Sequence, residues 1–521
     1  MQDLSSKIYK NEFVNTFPGD ESGNPTPRQT PGVLYSKANP TPVNNPVLLA
    51  WSEELARELA IANPTKQSDI DILGGNFVPA SMQPYAACYA GHQFGNWAGQ
   101  LGDGRAITLG ELETATGQTW ELQLKGAGRT PYSRRADGRA VLRSSVREYL
   151  MSEAMHYLGV PTTRALSLVS TGDQVMRDMF YNGNPEFEPG AIVMRVAPSF
   201  LRFGNFEMLA ARQELDNLKR LTDWTIQRFY PHIAGDGEDK ILAWFKEIVE
   251  RTAGLMVEWM RVGFVHGVMN TDNMSILGLT IDYGPYSFVD AYDLRFTPNT
   301  TDLPGRRYAF GKQPSIGYWN LGCLASAIAP LLPGTDKLVA ILEAYEDIYL
   351  AKYYTMLGNK LGLDEVRAED IALITQLEKT LSVLKPDMTI FYQLLMELPV
   401  DITDETAIVN YFEDSFYQAP EQDRSEALVS WVKTYLARLK TNTATPAETY
   451  ERMRQSNPRF ILRNYLLHQA IEELTSGENS LFLKLQAAIK DPYSRNFDEF
   501  FGKRPDWARQ KAGCSMLSCS S

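Results

Sequence analysis

The spacing of glycines and apolar residues divides this chain into a strand-rich part followed by a helical part. Between residues 85 and 204, glycines are interleaved with short runs typical of β-strands, namely 105–112, 120–124, 165–170 and 191–196. One long helical pattern, 141–158, interrupts these runs and ends at Gly159 and Pro161, a typical stop signal. Beyond residue 205 the apolar spacing is mostly helical, so this order predicts an α+β protein with two lobes.

The same patterns predict how the chain is organised. Residues 15–48 are rich in Pro, Asn, Thr and Gly, which predicts an irregular arm rather than a packed element, and a helical pattern follows from Leu48 to Ala62. The last residues, GCSMLSCSS, are small and are expected to be mobile. The predicted regions are an N-terminal arm and helix (1–84), a strand-rich lobe (85–204), a helical lobe (205–330) and a C-terminal helical extension (331–521).

The composition excludes several classes of protein. With 63 acidic and 51 basic residues the net charge is −12, which argues against a general nucleic-acid binder. No segment approaches the roughly 18 apolar residues of a membrane span, so no membrane partner is expected. Four cysteines among 521 residues are too few for a secreted disulfide framework, and the N-terminal residues lack a signal-peptide core. We therefore expect a cytoplasmic protein.

Two motifs of the strand-rich region have residue types that contact phosphate. The glycines at 102 and 104 let the backbone approach phosphate oxygens closely, and Arg105 adds a forked donor. The same segment, Leu101–Arg105, also suits a plain β-turn. Lys125 closes the next strand, where its ammonium either reaches a phosphate or lies on the surface.

Glu148 lies on a small, apolar row of the helical pattern 141–158, which is a poor site for an unpaired carboxylate. A buried carboxylate requires a cation, and Lys125 is the natural candidate. Arg139, Arg143 and Arg147 recur at a spacing of four and are predicted to form a solvated helix edge. The preceding Asp137-Gly138 either closes over a nucleotide or forms a turn.

The segment from His266 to Gly284 carries the residues that most favour a metal site. A loop with Asp272 and Asn273 is predicted to lead into a hairpin-like pair of apolar runs that ends at Asp282. One amide oxygen and one carboxylate suit a hard cation such as Mg²⁺, which completes its octahedron with nucleotide oxygens and water. Asp272 is positioned to act as a base beside that metal.

In this order, these residues resemble the motifs of protein kinases. Lys125 resembles the strand lysine, Glu148 the helix glutamate, and Asp282-Tyr-Gly the metal-binding Asp-Phe-Gly. His266 and Asn273 have the spacing of the kinase catalytic loop. Val268 occupies the position of the catalytic aspartate, and valine cannot accept a proton, so phosphoryl transfer would lack its usual base.

The chain resembles the selenoprotein O (YdiU) family more closely, and the similarity covers nearly its whole length. The resemblance implies a protein-kinase-like two-lobed fold with an N-terminal arm and an extra C-terminal helical region. It also implies transfer of AMP from ATP to Ser, Thr or Tyr hydroxyls of protein substrates, with ATP bound in a flipped orientation that puts the α-phosphate at the metal. The motifs are YAGHQFGNWAGQLGDGRA, QLKGAGRTPYSRRADGRAVLRSSVREYL, GVMNTDNMSI and IDYGPY.

The resemblance also assigns roles to individual residues. Asp272 matches the proton acceptor, and Asn273 and Asp282 match the ligands of Mg²⁺ or Mn²⁺. Glu148 is the expected ion-pair partner of the strand lysine. The residues that match ATP contacts are Gly102, Gly104, Arg105, Lys125, Asp137, Gly138, Arg195, Arg202 and Asp282.

The cysteines allow a further expectation from the resemblance. Cys519 matches the position at which eukaryotic relatives carry selenocysteine, which implies a redox role. The stretch 285–314 contains no cysteine to pair with it, and Cys514 is the nearest candidate on the same tail. Cys88 and Cys323 lie in apolar sequence surroundings and are predicted to be buried and inert.

Three alternatives to AMP transfer stay open at the level of sequence. The first is a conventional kinase in which Asp272 serves as a displaced base. The second is uridylyl transfer from UTP with Mn²⁺. The third is a catalytically inactive scaffold that binds nucleotide, which the retained metal-binding residues disfavour.

Overall fold

The strand-rich part forms one mixed sheet that includes segments from the N-terminal region. In the computed structural model, which describes residues 1–179 and 182–518, the strand order is β1-β2-β4-β7-β8-β11-β10-β3, and β9 pairs with β11. Two small antiparallel pairs, β5–β6 and β12–β13, lie outside this sheet. The strands are β1 (Gly19–Asp20), β2 (Tyr35–Lys37), β3 (Val47–Trp51), β4 (Tyr85–Ala87), β5 (Ala90–Gln93), β6 (Asn96–Gln100), β7 (Ala106–Glu113), β8 (Thr119–Lys125), β9 (Ala140–Val141), β10 (Arg164–Arg177), β11 (Glu186–Ala197), β12 (Phe264–Val265) and β13 (Ser287–Phe288).

Helices make up most of the chain beyond residue 202. Together with the sheet they confirm the predicted α+β architecture. Their bounds are α1 (Glu12–Thr16), α2 (Glu53–Glu58), α3 (Gln67–Leu73), α4 (Leu142–Tyr157), α5 (Phe203–Ala211), α6 (Leu215–Phe229), α7 (Gly237–Val262), α8 (Gln313–Ile328), α9 (Asp336–Glu343), α10 (Tyr345–Lys360), α11 (Asp370–Leu384), α12 (Met388–Met396), α13 (Glu405–Tyr411), α14 (Gln422–Leu439), α15 (Pro446–Ser456), α16 (Asn464–Ser476) and α17 (Ser480–Ala488).

The predicted runs in the strand-rich region are confirmed as β7, β8, β10 and β11, and the helical pattern 141–158 as α4. These strands are central in the sheet and largely buried, so runs of apolar residues mark them clearly. α4 packs against β10 and β11. The helix ends at Tyr157, and Gly159, whose φ of +80° favours glycine, follows two residues before Pro161.

The N-terminal region departs from the sequence prediction. Residues 15–48 are not simply an irregular arm, because β1, β2 and the start of β3 lie within them and pair with the sheet. β3 pairs antiparallel with β10, so the helix expected from Leu48 begins only at Glu53. These strands cover both edges of the sheet and satisfy edge N–H and C=O groups. Such pairing depends on a distant partner, which local composition does not reveal.

The C-terminal helices α16 and α17 pack against α4 in the strand-rich region. α16 packs against α4, and the Phe482 ring on α17 stacks on Tyr149 of α4 at a centroid distance of 6.3 Å. Gln486 donates to the Tyr149 hydroxyl at 2.9 Å, and Lys490 pairs with Glu54 at 2.8 Å. A buried apolar cluster therefore links α4 with the last helices. This packing holds the back of the helix that carries Glu148.

The glycine-rich stretch between α7 and α8 is mostly irregular. Instead of the expected hairpin before Asp282, only β12 and β13 pair with each other, and residues 271–273 form a short 3₁₀ turn. Ser275 and Thr280 make single bridges to Arg202 and Thr162. The apolar side chains of this stretch pack into the core, so their pattern predicted burial correctly and strand pairing wrongly.

The C-terminal tail packs against the rest of the protein in its described part, which ends at Ser518, where the sequence predicted mobility. Leu517 is fully buried, and its backbone exchanges hydrogen bonds with Pro298 and Thr300. Cys519, the redox candidate, lies outside the described residues. Among the described helices, none combines the length and apolar character needed to cross a bilayer.

Candidate active site

The register of the central strands brings three site residues onto one face of the sheet. Gln123 on β8 lies directly opposite Arg195 on β11. Residues that oppose each other in an antiparallel pair share a face, as do residues two apart along a strand, so Lys125 joins them. α4 packs against β11 and carries Glu148, so the helix carboxylate can meet the strand cations.

Glu148 is shared by two cations. The Lys125 ammonium lies 2.6 Å from Glu148 Oε2, and Arg195 Nη1 lies 2.9 Å from Oε1. The carboxylate side chain is 4% exposed, so these pairs replace the water it would otherwise bind. Burial lowers the pKa of Lys125, and the Glu148 charge acts against that effect. The ion pair expected between the strand lysine and the helix glutamate is thus formed.

Asp282 is surrounded by positive charge. Arg202 Nη1 lies 2.7 Å from its Oδ2 and the Lys125 ammonium 3.5 Å from its Oδ1, which also accepts a hydrogen bond from Arg195. Burial raises the pKa of Asp282, but Arg195, Arg202 and Lys125 outweigh it and hold that pKa well below its usual range. Its φ of +59° puts the residue in the left-handed region, where aspartate is tolerated better than most side chains.

His266 and Asn273 fix the loop between α7 and Asp282. His266 Nε2 lies 2.8 Å from the Ile281 carbonyl oxygen and Nδ1 accepts from the Val268 N–H, so Nε2 carries the proton. Asn273 Nδ2 donates to the Val268 carbonyl at 2.9 Å, which leaves the amide oxygen available. Val268 is itself buried and contributes only backbone groups to these contacts.

Asp272 has surroundings opposite to those of Asp282. Its Oδ2 accepts a hydrogen bond from Gln93 Nε2 at 3.2 Å, while its buried Oδ1 has no partner among the described residues. Burial raises the pKa of Asp272 to about 6, although Arg202 and Gln93 oppose that rise. A carboxylate that titrates near neutrality and keeps one free oxygen suits a general base.

The donor set at Asn273 and Asp282 fits a hard divalent cation. Asp282 is ionised at neutral pH, and the Asn273 amide oxygen is left free by the hydrogen bond of its nitrogen to Val268. Carboxylate and amide oxygens are the protein ligands that Mg²⁺ and Mn²⁺ accept. The surrounding guanidinium and ammonium groups are suited to bind phosphates beside such a cation.

Comparison with known proteins agrees with the predicted family. The sequence model described as "Protein adenylyltransferase SelO" matches residues 24–490. Protein nucleotidyltransferase YdiU of Cytophaga hutchinsonii is 62% identical to this chain over 522 residues, with 100% of both chains covered. The proteins of the same name from Azoarcus sp. and Xanthomonas campestris pv. campestris strain B100 are 51% and 52% identical, with 98–99% of each chain covered.

The chain belongs to the SelO family. This finding confirms the predicted family and the predicted enzyme class, a nucleotidyltransferase.

The remaining predicted ATP contacts of this SelO-family chain lie on two glycine turns. A Cβ on Gly102 would lie 2.5 Å from the Tyr132 ring, and one on Gly104 would lie 2.7 Å from the Tyr132 carbonyl oxygen. Arg105 lies near enough to Lys125 to contribute to the lowering of its pKa. The turn before β7 therefore packs too closely for larger residues and holds its arginine beside the strand lysine.

The second turn is formed by Asp137 and Gly138. Asp137 pairs with Arg177 at 2.7 Å and accepts from the Arg139 N–H. Gly138 has a φ of +73°, and a Cβ there would lie 2.0 Å from the Gly128 carbonyl oxygen. This turn is thus fixed against the Gly126–Gly128 loop that follows Lys125, and no direct contact joins it to the carboxylates of the site among the described residues.

Four residues that contact the predicted site residues were missed or misread in the sequence. Arg147 does not form a solvated helix edge: it is buried, donates to the carbonyls of Gly284 and Tyr286, and so anchors the segment after Asp282 to α4. Its position next to Glu148 on a buried helix was the available signal. The others are Gln123, which accepts from Arg195, Gln93, which donates to Asp272, and Asp103, whose carboxylate lies 4.0 Å from Arg202.

The cysteine predictions have mixed outcomes. Cys88 is fully buried, as predicted, and burial raises the pKa of its thiol. Cys323 is only half-buried, and its sulfur lies close to His92 and Glu207 rather than in an apolar environment. Cys514 is buried. The apolar sequence neighbours of Cys323 on α8 face other directions, because consecutive helix residues point about 100° apart.

Proposed function

We propose that this protein transfers AMP from ATP to Ser, Thr or Tyr hydroxyls of protein substrates and releases pyrophosphate. The observation that carries the proposal is that two aspartates of the site differ in charge state and in free hydrogen-bonding capacity. Asp282 is ionised among Lys125, Arg195 and Arg202, whereas Asp272 is buried, has a pKa raised to about 6, and has an Oδ1 without a partner in the described part of the chain. Val268, at the position of the kinase base, offers no proton acceptor.

In the proposed reaction, the substrate hydroxyl attacks the α-phosphorus of ATP and its proton passes to Asp272 Oδ1. The new oxygen–phosphorus bond forms as the bond between the α-phosphorus and the bridging oxygen breaks. The electron pair leaves with pyrophosphate, whose negative charge Lys125, Arg195 and Arg202 would stabilise. Asn273 and Asp282 would hold a divalent cation, which when bound supplies charge neutralisation at the phosphates.

The same charges support the proposed direction of ATP. Lys125, Arg195 and Arg202 form a cation cluster that Glu148 and Asp282 balance at close range, and Asp103 lies 4.0 Å from Arg202. A flipped ATP would direct its more highly charged β- and γ-phosphates to such a cluster, which binds them without offering a nucleophile. The kinase-like fold implied by the sequence motifs is part of the same proposal, supported by the Lys125–Glu148 pair.

The test is transfer of label to protein from ATP labelled at either the α- or the γ-phosphate. The purified chain would be incubated with Mg²⁺ or Mn²⁺ and a model acceptor such as casein, and products analysed by intact mass and peptide sequencing. AMP transfer predicts label from α-phosphate only and a hydroxyl residue as the acceptor. Label from γ-phosphate only would contradict the proposal and support a conventional kinase.

The same assay separates the remaining alternatives. UTP with Mn²⁺ replaces ATP in parallel reactions, and a preference for UTP would replace AMP transfer by uridylyl transfer. Tight ATP binding without transfer to any acceptor, the chain itself included, would favour a nucleotide-binding scaffold. Asp272→Asn is the matched control, since it keeps the shape and the Gln93 hydrogen bond of the side chain while removing its basicity.

A further inference from the structure

Three side chains with metal-binding atoms meet beside the catalytic loop. His92 lies on β5, Glu207 on α5 and Cys323 on α8, so the cluster joins a hairpin of the strand-rich lobe to two helices. One ligand atom from each residue lies within 4.8 Å of the others. None of the three belongs to the ATP or metal site described above.

The carboxylate of this cluster is only partly satisfied. Glu207 is 4% exposed, and its Oε1 lies 2.6 Å from His92 Nδ1. Its buried Oε2 makes no hydrogen bond among the described residues. Burial raises the pKa of Glu207, while Thr271 and His92 lie close enough to its carboxylate to lower that pKa; the Thr271 hydroxyl also accepts the His92 N–H at 2.7 Å. An unsatisfied buried carboxylate oxygen costs free energy that a cation would recover.

The chemistry of the three donors selects the type of cation. Imidazole nitrogen, carboxylate oxygen and thiolate sulfur together suit a borderline-soft ion such as Zn²⁺ and disfavour Mg²⁺, which prefers oxygen. Ligands bound at roughly 2.0–2.3 Å in a tetrahedron lie about 3.3–3.8 Å apart, so shifts of about 1 Å would close the site. Burial and the Glu207 charge raise the pKa of the Cys323 thiol to about 12, against the opposing effect of Arg307, so the thiolate would form only as a metal ion binds it.

We propose that His92, Glu207 and Cys323 bind a divalent transition metal of the zinc class, at a site separate from Asn273 and Asp282. The thiol proton of Cys323 passes to solvent when the metal–sulfur bond forms. Three protein ligands leave the fourth tetrahedral position to water. Zinc binding here would fix the position of the β5–β6 hairpin relative to α5 and α8.

The proposed site lies next to residues that contact the catalytic base. Gln93, the neighbour of His92, donates to Asp272, and a Cβ on Gly91 would lie 3.0 Å from Asp272 Oδ1. Glu207 is close to Thr271, the neighbour of Asp272. A metal that fixes the hairpin therefore positions the side chain and backbone around Asp272 without touching substrate.

Titration of the full-length protein with Co²⁺ in excess Mg²⁺ tests the proposal. Mg²⁺ fills the oxygen-donor site, and Co²⁺ replaces Zn²⁺ while giving a visible spectrum and a thiolate-to-cobalt charge-transfer band. The proposal expects one equivalent bound with that band present. Cys323→Ser is expected to abolish the band and to weaken Co²⁺ and Zn²⁺ binding by at least about tenfold.

Matched controls identify which thiol and which other ligands bind. Cys514→Ser and Cys519→Ser should keep the charge-transfer band, because the proposal assigns the thiolate ligand to Cys323. His92→Gln and Glu207→Gln should each weaken Zn²⁺ binding and reduce the Zn²⁺-induced rise in melting temperature, which also shows that the variants fold. Absence of a thiolate band in the native protein, or a band that persists in Cys323→Ser, would overturn the proposal whatever nucleotide the enzyme transfers.

Discussion

Asp272 is buried and Asp282 is half-buried ten residues further along the chain, and their electrostatic surroundings are opposite. Asp282 contacts two guanidinium groups and an ammonium, which hold its pKa well below the usual range despite burial. Asp272 contacts Gln93 through one oxygen, its other oxygen has no partner among residues 1–179 and 182–518, and burial raises its pKa to about 6. The number of close cations, not burial, makes the difference.

The contrast shows how one loop can supply both a permanently ionised carboxylate and a carboxylate that can accept a proton. A carboxylate held ionised by cations is a poor base but a good ligand for a metal or an anchor for arginines. A carboxylate in dry surroundings with a pKa near neutrality accepts a proton readily. Arg202 connects the two, because it donates to the Asp272 carbonyl at 2.6 Å and pairs with the Asp282 side chain.

The largest effect is expected from Asp282→Asn. The change removes the charge that balances Arg195 and Arg202 and replaces the anionic candidate metal ligand by a neutral amide, so nucleotidyl transfer should fall by about 10³-fold or more. Initial rates with α-labelled ATP measure this loss, and thermal melting checks that the variant folds. Activity within tenfold of the native enzyme would break the assignment of Asp282 as the anchor of the site.

Asp272→Asn should reduce the rate by roughly 10²- to 10⁴-fold, because it removes the proton acceptor while preserving size and the hydrogen bond from Gln93. ATP affinity, measured by calorimetry, should change little. A variant that retains more than about a tenth of the native rate would show that Asp272 is not the base.

The same Asn variant should stabilise the folded protein at neutral pH. The pKa of Asp272 is about 6 in the folded protein, and the ordinary value for aspartate, expected in the unfolded chain, is 3.8. The folded protein therefore binds this proton more tightly than the unfolded chain does. The ionised side chain therefore lowers the free energy of unfolding. This destabilisation reaches its full value above pH 6 and disappears as the pH falls to 4. Urea unfolding should show a gain of about 2–3 kcal/mol at pH 8 and almost none at pH 4. Equal gains at both pH values would contradict the raised pKa.

The smallest effect concerns the acid limb of the pH–rate profile. The native rate should fall as the pH drops through about 6, where Asp272 takes up a proton. The Gln93 hydrogen bond lowers the pKa of Asp272, so Gln93→Leu should move this limb to higher pH. Profiles of kcat/KM for both proteins measure the shift. A limb that stays in place in Gln93→Leu would show that the contact does not tune the base.

Much of the site was predictable from residue type and spacing. The Lys125–Glu148 pair followed from a carboxylate on an apolar helix row that requires a cation. The regular structure of β7, β8 and α4 followed from patterns of 2.0 and 3.6 residues. Prediction failed where partners are remote in sequence: β1–β3 at the sheet edges, Arg147 against the segment after Asp282, and the tail at Leu517.

The sequence by itself determined the family, the strand and helix periods of the central elements, and the residue types available for binding phosphate and metal. Only the tertiary structure decided which aspartate is held ionised and which is free, because the sheet register and the crossing of α4 set the distances to Arg195 and Arg202. It also brought His92, Glu207 and Cys323 together from three separate elements. Electrostatic interactions depend on separation in space, which a linear pattern does not specify.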